Sequence, residues 1–182
     1  MRPQEQALFP LATVTGTERG QTDRLLAQVA RVLSAEGWAL AGVVQVNSGR
    51  PGRAHCDMDL QVLGRSEVIR ISQNLGEESR GCRLDPEGLE TAVALVEGTL
   101  AERPRLLILN KFGKAEIEGR GFRPLIAAAL EQGVPVLMGL KELNRPGFEG
   151  FAEGLGQGLP ADLDQILGWC RKTAASEPLT FQ

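Results

Sequence analysis

Apolar residues along this chain fall in short continuous runs that alternate with segments in which they recur every three or four positions. That alternation reads as buried strands separated by amphipathic helices. Leu11, Ala12 and Val14 form a first strand, a glycine-bearing turn follows, and a helix presents Leu25, Val29, Val32 and Leu33 before Gly37 ends it as a C-cap glycine. Trp38 to Val46 is a second buried strand, and the segment around Arg50, Arg53 and His55 has the Gly, Pro and Ser content of an exposed loop. Met58–Leu63 and Glu67–Gln73, joined by a turn at Gly64 and Arg65, predict a hairpin whose alternating Val68, Arg70 and Ser72 give it one wet face. Asp85, Pro86 and Glu87 announce another helix, with Asp as N-cap and Leu89, Val93, Val96 and Leu100 on its inner side. Arg105 to Asn110 is the most continuous apolar run and predicts a strand covered on both faces. A helix with Phe122, Leu125, Ile126, Ala129 and Leu130 inward comes next, then Gly133 and the strand Val134–Leu140. A last helix is predicted from Ala161 to Lys172, with Leu163, Ile166, Leu167 and Cys170 facing in.

This order predicts an α/β fold: a three-layer domain with a mostly parallel sheet flanked by helices and an inserted β-hairpin. Residues 1–172 make a single domain by size, and Thr173 to Gln182 a loose tail. A net charge of -3 gives no general attraction to nucleic acid. No apolar run reaches the roughly 20 residues of a membrane span, and the first residues lack the apolar core of a signal peptide, so the expectation is a cytoplasmic protein without membrane insertion. Cys56, Cys82 and Cys170 have no CxxC spacing, so neither a disulfide framework nor a zinc knuckle is written locally.

The chemistry concentrates after the first strand. A phosphate-binding loop needs glycines that let backbone N–H groups approach an anion, a helix N-terminus behind them, a Lys for the terminal phosphates and a Ser or Thr hydroxyl for magnesium. Thr15, Gly16, Thr17, Glu18, Arg19, Gly20, Gln21 and Thr22 occupy that place. Gly20 and Thr22 match, Gln21 replaces the Lys, and the first glycine is displaced by one position to Gly16. A neutral Gln can donate a hydrogen bond to an oxyanion without the charge of a Lys. Arg19, Lys111 and Lys114, expected at the same end of the sheet, are candidates to replace that charge.

The second informative stretch runs from Leu106 through Asn110-Lys111-Phe112-Gly113-Lys114-Ala115-Glu116 to the strand ending at Leu140, and its first strand is expected beside the strand of the phosphate loop. With the Thr15–Thr22 loop and the hairpin, it resembles the small nucleoside triphosphatases of archaea, bacteria and animals, the cancer-related nucleoside triphosphatase group. Those carry Asp-Glu-Ile-Gly-Lys-Met-Glu here; Gly113, Lys114 and Glu116 match, and Asn110 and Lys111 replace the two acids. The whole chain more closely resembles an uncharacterised bacterial P-loop-like family with the phrases HCDMDL, ISQNLG, GCRLD and LNKFGKAEIEGRGF, beginning here at His55, Ile71, Gly81 and Leu109. Its members are described as nucleoside-triphosphatase-like and associated with molybdenum transport.

The resemblance implies a P-loop-type domain that binds ATP or GTP, with or without Mg2+, or an oxyanion such as molybdate, as an accessory to molybdenum handling. A protein partner or homo-oligomer is compatible with it. Asn110 joins the nucleotide-binding set; Lys111, Lys114 and Glu116 are the catalytic candidates, with Glu118 an alternative to Glu116. With Asn110 and Lys111 in place of acids, hydrolysis is expected to be weak or absent and magnesium to add little affinity. Two alternatives stand: a working triphosphatase, and a metal or redox protein in which Cys56, Cys82 and His55 act as soft ligands.

Overall fold

The computed structural model describes residues 9–48, 57–73 and 83–175. The strands are β1 (Leu11–Val14), β2 (Leu40–Ser48), β3 (Asp57–Val62), β4 (Val68–Arg70), β5 (Ser72–Gln73), β6 (Arg83–Leu84), β7 (Leu106–Leu109), β8 (Val136–Gly139) and β9 (Gly156–Leu159). The helices are α1 (Gln21–Ala35), α2 (Pro86–Leu100), α3 (Lys114–Ile117), α4 (Arg123–Glu131), α5 (Arg145–Ala152) and α6 (Leu163–Ala175). Seven strands form one sheet in the order β4-β3-β2-β7-β8-β1-β9. β2, β7, β8, β1 and β9 run parallel, while β3 is antiparallel to β2 and β4 to β3. The expected α/β architecture with its hairpin extension is therefore present.

Alternation along the parallel strands explains why they read as continuously apolar. Leu106 and Ile108 of β7 pack with Leu26, Val29, Ala30 and Leu33 of α1 and with Ile166 and Trp169 of α6. Leu107 and Leu109 point the other way, into a core with Leu89, Val96 and Leu100 of α2 and Ile126 of α4. Each fully buried aliphatic side chain contributes about 1.5–3 kcal/mol, so two covered faces make β7 and β8 the rigid centre.

Four details differ from the sequence reading. β8 lies between β1 and β7, so the strand ending at Leu109 is not the neighbour of the phosphate-loop strand. Adjacency in a sheet is a tertiary property that no local pattern carries. The inner face of α1 is centred on Leu26, Val29, Ala30 and Leu33, with Leu25 and Val32 at its flank, a rotation of roughly one residue. α6 continues to Ala175. The glycine-bearing stretch between Lys141 and Pro160 also holds structure the pattern did not predict: a 3-10 turn (Glu142–Asn144), α5 and β9.

The carboxyl ends of β1, β7 and β8 meet tightly. Leu140 N–H donates to Val14 O at 2.9 Å and Phe112 N–H to Gly139 O at 2.8 Å. A Cβ on Gly139 would lie 2.3 Å from Asn110 O and 2.9 Å from Thr22 Cγ2. Only glycine lets β8, the end of β7 and the first turn of α1 converge. Gly139→Ala is expected to lower stability by about 1–3 kcal/mol, as overpacking does. Urea denaturation measures this; an unchanged midpoint would show that the junction has room to spare.

Candidate functional site

At the edge where the parallel strands end, the chain leaves β1 and turns through Thr15–Gly20 into α1. Gly20, the N-cap, has φ 74 and offers no side-chain cap, so the first turn of α1 must find acceptors elsewhere. The loop is pinned from below: Thr15 Oγ1 donates to Leu140 O at 2.7 Å and accepts from Arg145 Nη2 at 3.3 Å.

Its upward-facing amides are satisfied from within. Gly16 N–H donates to Thr22 Oγ1 at 2.9 Å. Thr17 N–H and Glu18 N–H both donate to Gln21 Oε1, at 2.9 and 3.3 Å. Gln21 thus presents its oxygen to the loop as an acceptor, where the sequence reading had it donating to a ligand. Successive backbone N–H groups converging on one point form a nest that favours an anion, and here a neutral carbonyl oxygen fills it.

Asn110, at the end of β7, is 4% exposed. Its Oδ1 accepts from Gln45 N–H at 3.1 Å, and its Nδ2 donates to Gln45 Oε1 at 2.9 Å and to Asp23 Oδ1 at 3.2 Å. The backbone N–H can only donate, which fixes which end of the amide faces which way. The carboxylate beside this amide is that of Asp23, on the first turn of α1, a residue that the sequence reading did not single out.

Glu116 is also 4% exposed, and both its oxygens are occupied: Gly113 N–H donates to Oε2 at 2.9 Å and Phe122 N–H to Oε1 at 3.2 Å. These bonds stitch the loop after β7 around α3. They fit an anchoring role, although Glu116 also lines the cleft. Glu118 is exposed and paired with Arg120, whose hydrogen bond holds its carboxyl below the usual range. Lys114 is exposed and 3.8 Å from Glu118; Lys111 and Arg19 are exposed as well. All three cations line the same cleft, as expected.

That cleft encloses about 760 Å³. One wall is the loop with Asp23, Asn110, Lys111 and Lys114; the other is apolar, built from Val43, Met58, Leu60, Ile71, Leu89 and Phe122. At its rim Arg145 is clamped to Glu142, with Nε–Oε2 2.9 Å and Nη2–Oε1 2.6 Å. The Arg145 hydrogen bond depresses the Glu142 pKa, so the clamp is intact above the usual 4.5 and is lost only as pH falls through the lowered value. Arg145 and Glu142 had no signature in the sequence. A second hollow of about 550 Å³, lined by Arg103, Arg105, Gln132 and Thr173, opens at the opposite edge and shares no residue with this cleft.

His55, Cys56 and Cys82 lie outside the described residues. Among the described residues no group of three or more His, Cys, Asp or Glu side chains is arranged to hold a metal ion. Cys170 is core, as expected, and burial pushes its thiol up to about 12. No helix among the described residues is long and apolar enough to cross a membrane.

A mostly parallel sheet with a glycine-bearing loop between β1 and α1 is a P-loop nucleoside-triphosphatase-like fold. The chain belongs to the family described as protein of unknown function DUF2478, whose model matches residues 11–169. It is similar in fold to a human cancer-related nucleoside triphosphatase, with a TM-score of 0.60, 14% identity, and 89% of this chain and 94% of that one covered. It is likewise similar to THEP1 from the hyperthermophile Aquifex aeolicus, with a TM-score of 0.58, 16% identity, and 87% and 94% covered. In sequence it is 32% identical over 165 residues to the molybdenum import ATP-binding protein ModC 2 of Bradyrhizobium diazoefficiens, covering 91% of this chain. The chain spans 18% of that protein's length.

The geometry of Glu116 yields a direct test. Glu116→Ala strands two buried N–H donors, each costing about 1–3 kcal/mol, so unfolding free energy should fall by at least about 2 kcal/mol. Chemical denaturation reads this; a stability loss under about 0.5 kcal/mol, the range of an ordinary surface substitution, would return Glu116 to the pool of functional acids.

Proposed function

We propose that this protein binds a nucleoside triphosphate in the cleft beside the β1–α1 loop, with hydrolysis weak or absent. The observation that carries the reading is the convergence of the Gly16, Thr17 and Glu18 amides on acceptors supplied by Gln21 and Thr22. Those acceptors stand where phosphate oxygens would be received. A phosphate oxygen makes charge-assisted bonds roughly twice as strong as the neutral ones it displaces, so a ligand outcompetes the side chain. Arg19, Lys111, Lys114 and Lys141 ring the opening and offset the ligand's charge, while the apolar wall accommodates a base.

Weak hydrolysis follows from the acids. Lys111 lies where a carboxylate would activate water, and Glu116 is committed to backbone amides. ATP and GTP are both compatible with a wall that offers few polar groups.

A finer reading, an oxyanion such as molybdate in the same loop as part of molybdenum handling, is favoured by the name of the 32% identical relative. The apolar wall favours the nucleotide, since a bare tetrahedral anion leaves it unused.

Calorimetric titration with ATP, GTP, ADP and molybdate decides between the two. Nucleotide binding with no molybdate binding is expected; molybdate alone binding would reverse the order, and neither binding would remove the proposal. Gln21→Lys sharpens the test, because it withdraws the internal acceptor and adds an ammonium group. A charged hydrogen bond contributes about 1.5–3 kcal/mol against about 1 for a neutral one, so triphosphate affinity should rise about tenfold. Phosphate release should not rise with it. Unchanged affinity in a folded Gln21→Lys variant would mean that the loop is only a structural turn.

A further inference from the structure

A triphosphate is ordinarily met as its complex with a divalent cation, a hard ion that takes oxygen ligands, carboxylates foremost. Whether this cleft fits such an ion turns on its oxygens. The Asn110 side chain does not fit: its one side-chain oxygen accepts from Gln45 N–H, and the face it turns toward α1 is the NH2 group. Lys111 adds a positive charge nearby. Asp23 does fit. It lines the cleft next to Thr22, its Oδ1 is held by Asn110 Nδ2 at 3.2 Å, and Oδ2 has no protein partner among the described residues.

We infer that Asp23 supplies the carboxylate on the divalent-cation side of a bound triphosphate, with Asn110 as its positioning residue. The inference rests on the nucleotide reading above. The end of β7 is neutral at Asn110, and the negative charge stands one hydrogen bond away, on the first turn of α1. An acid at both positions would bring two carboxylates within about hydrogen-bond distance, where like charges oppose joint ionisation. An amide at 110 removes that conflict and orients Asp23. The expectation that magnesium adds little affinity considered residues 110 and 111 alone; Asp23 changes it.

Affinity for ATP, measured by calorimetry in excess Mg2+ and again in EDTA, tests the assignment without reference to turnover. The wild type should bind at least tenfold more tightly with Mg2+. Asp23→Asn keeps an oxygen to accept from Asn110 and loses only the charge, so the Mg2+ gain should fall below about twofold while affinity in EDTA stays the same or rises. The exchange variant Asp23→Asn, Asn110→Asp returns the carboxylate to the strand end and should recover most of the gain. ATP binding that is indifferent to Mg2+ in the wild type, or a full gain retained by Asp23→Asn, overturns the Asp23 assignment and leaves the nucleotide reading intact. No ATP binding in either buffer overturns both.

Discussion

Backbone N–H groups that follow the end of β1 converge on side chains of α1, and that convergence shapes the edge of the sheet where the candidate site lies. Gly16, Thr17 and Glu18 expose three donors at the start of α1, and Thr22 and Gln21 fold back to meet them. Thr17 and Glu18 are exposed, so each of these bonds contributes about 0.5–1.5 kcal/mol over the water it replaces. The loop is thereby held in the cradle conformation without a ligand. In the proposed reading, a bound phosphate would replace one set of acceptors with another instead of ordering a floppy turn.

The cradle is only as well placed as the strands beneath it. β7 and β8 are covered on both faces, and Gly139 allows Thr22 and Asn110 to come together at their ends. Asn110 links the elements further: through its two amide atoms it joins β2 at Gln45 to α1 at Asp23. From the far side, Arg145 on α5 touches Thr15 while gripping Glu142. Leu140 and Arg145 therefore fix the loop while Asn110 fixes the first turn of α1, and the groups facing the cleft inherit the rigidity of the core.

The layers of this fold were legible because continuous apolar runs and 3.6-residue periodicity survive in any window long enough to count them. The Asp85-Pro86 start of α2 was legible for a local reason as well, since Asp85 Oδ1 accepts from Glu87 N–H at 3.1 Å. α3, α5 and β9 were not, being four to eight residues long and held by tertiary contacts such as Phe148 edge-on to Phe112 at 5.4 Å. For the candidate site, the pattern pointed to the Thr15–Thr22 stretch but not to the direction of its hydrogen bonds. Gln21 can donate or accept, and only the fold reveals that it accepts. Glu116 matched a triphosphatase motif by position, yet its burial against two amides is invisible in one dimension. Asp23 carries no signature of its own in the sequence, and only the fold brings Asn110 beside it.

The central claim is that a phosphate group displaces Gln21 from the Gly16–Glu18 cradle, and the backbone amides themselves report on it. In a 15N-labelled sample titrated with ATP, the resonances of Gly16, Thr17 and Glu18 should shift together with the side-chain NH2 of Gln21, because that side chain leaves as the ligand enters. Shifts confined to residues outside this loop, or loop amides that move while the Gln21 side chain does not, would contradict the account.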